Sequence, residues 1–246
     1  MKSRLLWVLS AVAWLGMNGV QGSPVPSPWT AADIGTVLVA GTSSFNSDGN
    51  SFSLVSSGNG LWDANDAFQF LSQTVADGDV QITARLVSQL EDDPWAKAGL
   101  MLRQNNNPAS PFAFGYVTPA NGVNFQIRLT LGGQPQFQLL GVSGTSQKWL
   151  RLVRSGAYVI GYRSDDGVSW NRSTAERLPL AGPYLVGLAA TNRNALPAPA
   201  GAIAHYRFNE TSGMSASDSS GNGKTGTLMG SAWWAAGKIK GALRLT

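Results

Sequence analysis

The chain has 246 residues, 13% of them charged, with 29 glycines and no cysteine. The lack of cysteine excludes disulfides, zinc–thiolate sites and thiol nucleophiles together. The formal charge is +4, of which Lys2 and Arg4 supply two, and the remaining cations are spread out, so neither nucleic acid nor an anionic membrane is an expected partner.

The N-terminus reads as a secretory leader, residues 1–22. Lys2 and Arg4 form its positive start, Leu5 to Leu15 (LLWVLSAVAWL) its apolar stretch, and Val20-Gln21-Gly22 its small-residue end. The apolar run is shorter than the ~20 residues a membrane span requires. Cleavage is expected near Gly22–Ser23. No later segment is long and apolar enough to span, so a secreted chain without a membrane span is expected.

Residues 23–28 (SPVPSP) are an extended, proline-rich lead-in. From Trp29 onward the pattern is that of strands. Phe45 to Ser56 reads as a hairpin turning at Ser47-Asp48-Gly49-Asn50. Asp66 to Val75 and Val80 to Leu86 flank a turn at Ala76-Asp77-Gly78-Asp79. In DPWAKAGLMLRQ (93–104), Ala96, Ala98, Leu100 and Leu102 share one face and are expected in the core. Trp95, Lys97, Met101 and Arg103 share the other face. Phe112, Phe114 and Tyr116 follow. Val123, Phe125, Ile127 and Leu129 then alternate with Asn124, Gln126 and Arg128, which predicts a half-buried strand with those four apolar residues inside. Trp149 to Arg154 and Tyr158 to Arg163 pair across Ser155-Gly156, and Tyr184 to Ala190 closes the domain.

No segment carries a capped 3.6-residue apolar period. Strands separated by turn chemistry predict an all-β fold, a sandwich of two antiparallel sheets of the jelly-roll kind, over residues 29–194. Residues 195–201 form a Pro/Ala linker. Residues 202–246 start new strands but hold too little apolar surface for a sandwich of their own.

Several segments, in order, carry a resemblance: PWTAADIG (28–35), DAFQF (66–70), DPWAKAGLMLR (93–103), WLRLVRSG (149–156) and YRSDDGVSW (162–170). Together they resemble the DUF1349 type of concanavalin A-like lectin/glucanase domain, a module of large secreted bacterial proteins. AHYRFNETSG (204–213), DSSGNGKTGTL (218–228) and AGKIKGALRL (236–245) resemble the truncated start of a LamG-like jelly roll. The resemblance implies a concanavalin A-like jelly roll and a carbohydrate or cell-surface setting. It supplies no defined set of functional residues.

Ser164-x-Asp166-Gly167-x-x-Trp170 reads as a turn braced by its aspartate over a packed tryptophan, a structural device. Glu91, Asp92 and Asp93 are the densest acidic cluster. Calcium takes roughly 6–8 oxygen ligands, so Asp92 and Asp93 are the calcium candidates, against the reading of a solvated loop before Pro94. Otherwise no metal or cofactor is expected. Catalysis by two carboxylates would fall to Asp63 with Asp66 or Asp77 with Asp79, but these sit beside turns and no patterned strand carries a glutamate. His205, the one histidine, lies in the tail. No catalytic residue is therefore expected.

The expected function is a secreted, non-catalytic module that binds carbohydrate or surface glycan. Its ligand face would be a groove with Trp95 as platform and Lys97, Arg103, Asn124, Gln126 and Arg128 beside it, provided the two strands share one sheet. The alternatives are a structural or adhesive spacer in a multimodular extracellular protein, or a truncated remnant of a glycoside-hydrolase-type polypeptide. The sequence gives no basis for an oligomeric state.

Overall fold

The computed structural model describes residues 4–12, 23–89, 93–142, 148–192, 206, 212–216, 224–229, 233–236 and 241–244. The chain divides into two compact units, residues 1–15 with 21–195, and residues 16–20 with 196–246.

The regular elements among the described residues of the first unit are all strands. In chain order they are β1 (Arg4–Val12), β2 (Thr30–Ile34), β3 (Thr42–Asn46), β4 (Ser51–Val55), β5 (Phe68–Val75), β6 (Val80–Leu86) and β7 (Lys97–Arg103). There follow β8 (Phe112–Thr118), β9 (Gly122–Arg128), β10 (Gln136–Val142), β11 (Trp149–Ser155), β12 (Tyr158–Ser164), β13 (Asn171–Arg177) and β14 (Tyr184–Thr191). They form two seven-stranded sheets. The first has the order β13-β12-β11-β6-β1-β4-β3 and the second β10-β9-β8-β7-β14-β5-β2. This is a sandwich of the jelly-roll kind, as the strand pattern predicts.

The core between the sheets is apolar and mainly aliphatic because alternation puts one apolar set inward from each strand. Ala98, Leu100 and Leu102 of β7, Val123, Phe125 and Ile127 of β9, Ile82 and Ala84 of β6, and Leu150 and Leu152 of β11 all lie in it. The expected core face of β7 is thus confirmed, and Ala96 is buried as well. Leu129 is not: it is 43% exposed. The strand ends at Arg128, and Gly133 N–H donates to Thr130 O at 3.0 Å to close a turn there, so the alternation stops one residue before Leu129.

The β3–β4 and β11–β12 hairpins form as predicted. The turn at 76–79 does not make a hairpin. It is an arch, because β5 lies in the second sheet and β6 in the first. The segment Arg4–Val12, read above as part of a leader, forms a strand between β6 and β4, parallel to both. Apolar composition suits a leader and a buried strand alike, so the pattern alone does not separate the two.

In the second unit, β15 (Ser215–Ala216) pairs with β16 (Gly226–Thr227), and β17 (Trp233–Ala236) with β18 (Gly241–Arg244), both antiparallel. Tyr206 Oη donates to Lys224 O. His205 lies outside the described residues.

Candidate functional site

The face of the second sheet that points away from the aliphatic core is where the sequence places its candidate groove. β7 and β9 do lie in that sheet, on either side of β8, with Phe114 opposite both Met101 and Gln126. Lys97, Arg103, Asn124, Gln126 and Arg128 therefore share one face. That face is closed. Lys97, Arg103 and Arg128 are 0% exposed, Asn124 1% and Gln126 2%. Around them lies a second apolar cluster that includes Ile34, Leu61, Phe68, Phe70, Met101, Phe112, Phe114 and Tyr116.

Asp66 makes this burial tolerable. Its Oδ2 accepts from Arg103 Nη1 at 2.6 Å and from Arg128 Nη1 at 2.7 Å, and its Oδ1 accepts from Arg128 Nη2 at 2.7 Å. Both carboxylate oxygens are thus engaged by guanidinium, and a buried charge needs such pairing. The remaining donors reach loop carbonyls. Arg103 Nε donates to Asn105 O at 2.9 Å, and Arg128 Nε to Gly133 O at 2.8 Å. Arg103 Nη2 also reaches Asn107 O, and Gln126 Nε2 reaches Leu61 O. These side chains staple loops of the 58–66, 105–110 and 130–133 regions onto the sheet. Burial pulls the Arg103 guanidinium below its ordinary pKa, and Asp66 opposes that shift.

Lys97 carries a further buried cation. Its Nζ donates to Gln126 Oε1 at 2.7 Å. Three rings surround it: Trp62 with its centroid at 3.8 Å, Tyr116 at 4.8 Å and Phe137 at 5.4 Å. Cation–π attraction of this kind is worth more where water is excluded. Lys97 thus anchors the underside of Trp62.

The open part of this face is aromatic. Trp62 stacks on Phe137, with centroids 5.6 Å apart, and meets Trp95 edge to face at 5.7 Å. Trp95 is 36% exposed and Phe137 44% exposed, while Trp62 is half-buried between them. Each ring is held by an ordered element. Phe137 sits on β10 opposite Gln126, which sends it to the outer face. Trp62 lies within a return that Gly60 and Ala67 close by exchanging N–H···O bonds at 2.9 Å. Gly60 has φ +102°, and a Cβ there would lie 2.7 Å from Trp62 Nε1, so both the backbone and the indole require glycine. Trp95 lies just before β7, in a turn where Asp93 Oδ1 accepts the Trp95 N–H at 2.9 Å and Asp93 O the Ala96 N–H at 3.0 Å. Asn121 stands beside it, its amide donating to Pro94 O at 3.4 Å.

Of the sequence candidates, only Trp95 reaches solvent; the five polar ones form the buried foundation. Asp93 is buried and braces the turn that presents Trp95, whereas Asp92 lies outside the described residues. Among the described residues no group of three or more His, Cys, Asp or Glu side chains could hold a metal ion. Three of the four carboxylates weighed for catalysis have structural partners: Asp66 as above, Asp77 with Arg154 at 3.6 Å, and Asp79 Oδ1 accepting the Gly156 N–H at 2.7 Å; Asp63 is exposed. The Asp166 turn forms as read, with Oδ1 accepting from Val168 N at 2.8 Å and Ser169 N at 2.7 Å. Pattern reading missed Trp62 and Phe137. The one available signal was a tryptophan beside a glycine in a loop, Gly60-Leu61-Trp62.

No family model matches the chain, and no curated protein matches it. Solved structures do. A functionally unknown protein from Saccharomyces cerevisiae aligns at TM-score 0.51 and 15% identity, covering 68% of this chain and 88% of its own. The carbohydrate binding module CBM66 from Bacillus subtilis aligns at TM-score 0.41 and 14% identity, covering 70% of this chain and 96% of its own. A xylan β-1,4-xylosidase from Bacillus halodurans C-125 aligns at TM-score 0.39 and 13% identity, covering 51% of this chain and 27% of its own. The likeness to the yeast protein is one of fold, a sheet-rich sandwich of the jelly-roll kind.

Proposed function

We propose that the protein is an extracellular, non-catalytic carbohydrate-binding module of the DUF1349 concanavalin A-like type, and that Trp62, Trp95 and Phe137 form its sugar platform. The observation that carries this reading is the contiguous aromatic cluster, with Trp95 and Phe137 reaching solvent, on an otherwise closed face. Burying aromatic rings is favourable, so a cluster left in solvent on a rigid support needs a reason. Sugar rings supply one, because their C–H faces stack on aromatic rings and their hydroxyls bond to neighbouring amides such as that of Asn121. Support for a binding rather than a hydrolytic role comes from Asp66, Asp77 and Asp79, which are committed to guanidinium groups and turns.

The test is retention of the full chain on a panel of neutral and acidic polysaccharides, alongside Trp95→Ala and Phe137→Ala. The expected result is binding to at least one polysaccharide by the parent and its loss in both variants. Failure of the parent to bind any member of a broad panel would sink the reading in favour of a structural spacer.

A further inference from the structure

We propose that the outer face of the first sheet, across β11, β12 and β13, is a second binding surface, one for an acidic polysaccharide, with Arg151 as its anchor. It lies on a different sheet from the aromatic platform and stands whether or not that platform binds sugar. β6 separates these strands from β1, so the surface does not depend on the fate of residues 1–22.

Charge is the first observation. Strands β6, β11, β12 and β13 together carry six arginines and one carboxylate, that of Glu176. Register sorts them by face. Leu150 and Leu152 lie in the core, so Arg151 points outward, with Tyr162 opposite it and Arg172 opposite Tyr162. Arg177 shares that face, opposite Tyr158, whereas Glu176 lies opposite the buried Val159 and so on the core side. The outer face of these strands therefore bears arginines and no carboxylate. The acids of the turn after β12 are already engaged, Asp165 by Lys148 and Asp166 by the Val168 and Ser169 N–H groups.

Arg151 is held ready for an anion. Its Nε donates to Thr83 Oγ1 at 3.1 Å, and its guanidinium lies 3.7 Å from the centre of the Trp170 ring. Trp170 is fixed in turn, its Nε1 donating to Gly167 O at 3.1 Å within the turn that Asp166 braces. The braced turn thus positions a cation. Among the described residues, neither terminal nitrogen of Arg151 has a hydrogen bond or an ion pair, and the exposed Arg172 and Arg177 have none either. Burial pulls the Arg151 guanidinium below its ordinary pKa, as it does for a cation short of compensating charge. Edge strands carry cations to discourage pairing, which accounts for Arg172 and Arg177 on β13 but not for Arg151, two strands inward. Its free fork matches the two oxygens of a carboxylate or sulfate. The row Arg151, Tyr162, Arg172 spans two strand spacings, roughly 10 Å. An extended acidic polysaccharide advances about that far over two sugars and turns alternate residues to the same side. It can set an anionic group on each arginine and a sugar ring on Tyr162. Nucleic acid fits less well: its charges lie closer together, and its bases need open ring faces. Here Trp170 is stacked on Arg151, and the Trp149 ring lies against Gly167.

The test is affinity electrophoresis of the full chain in polygalacturonate and in dextran sulfate, each beside its uncharged counterpart, methyl-esterified polygalacturonate or dextran. At least one charged polymer is expected to bind the chain about tenfold or more tightly than its counterpart, and raised salt is expected to release it. Equal binding of charged and uncharged forms, or binding that salt does not weaken, overturns the proposal. Arg151→Gln is expected to weaken the binding about tenfold or more. Arg172→Gln, at an exposed edge position where the fold is not at stake, is expected to weaken it several-fold, with circular dichroism as the check on folding. Should Arg151→Gln fail to fold, Arg172→Gln decides alone; undiminished binding in the folded variants overturns the proposal. A loss confined to Trp95→Ala would assign the acidic polymer to the aromatic platform instead. Tighter binding of a single-stranded oligonucleotide or of phosphatidylserine vesicles would assign the face to nucleic acid or to membrane, and each of these results overturns the proposal as well. Binding of neutral polysaccharides alone overturns it and leaves the aromatic platform standing.

Discussion

The two faces of the second sheet are equally buried and differ in chemistry. The inner face, with Ala98, Leu100, Leu102, Val123 and Phe125, packs against the first sheet by apolar contact alone. The outer face, with Lys97, Arg103, Asn124, Gln126 and Arg128, is buried under loops. It holds together because its charged groups are partnered, Arg103 and Arg128 by Asp66, and Lys97 by Gln126 and the rings around it. An aliphatic core tolerates partial loss in proportion to the volume removed. A charged core does not, because removing one member leaves others buried without compensation. The outer face is thus the more fragile, and it ends at its rim in the aromatic platform it supports.

Asp66→Ala should expose that difference most. It strands Arg103 and Arg128 and is expected to cost about 3–5 kcal/mol, read by denaturant unfolding. A cost below that of an average surface change would mean the two cations are solvated. Leu100→Ala, on the inner face, should cost about 2–5 kcal/mol through lost burial and a cavity, while Leu129→Ala should cost almost nothing, since Leu129 is 43% exposed. Equal costs at the two leucines would place the end of β9 wrongly.

A smaller effect is expected at the Asp166 turn. Bonds from the Ser169 and Val168 N–H groups, with that of Ser164, hold its carboxyl well below the usual carboxylate range. The folded-state pKa is depressed, so the turn's contribution is complete above the unfolded value near ~4 and is lost as pH falls through the lower folded one. The difference in Tm between parent and Asp166→Ala should therefore be constant at neutral pH and shrink in strong acid. A gap that widens on acidification would reverse the sign.

Much of the fold was legible, because alternation reports which residues share a face. Val123, Phe125 and Ile127 were placed correctly by pattern, and the shared face of β7 and β9 followed once both strands fell in one sheet. The burial of that face was not legible. Asn124, Gln126 and Arg128 would alternate in the same way on a solvated strand. What closes the face is Asp66, 37 residues from Arg103 and 62 from Arg128, along with loop carbonyls that no local pattern marks. Trp62 and Phe137 were missed for the same reason, since only the fold brings a loop residue and an edge-strand residue to Trp95. Direction in the first sheet was equally hidden, because a mostly apolar strand of nine residues does not state which way it will pair.

The most direct test of the aromatic platform is calorimetric titration of a retained polysaccharide into the parent and Trp95→Ala, with Tm measured on the same samples. Trp95 lies at the open rim and outside the Asp66 network, so the variant is expected to lose about tenfold or more in affinity, ~1.4 kcal/mol, with Tm nearly unchanged. Undiminished affinity, or a loss that appears only with a fall in Tm, would contradict a binding role for the platform.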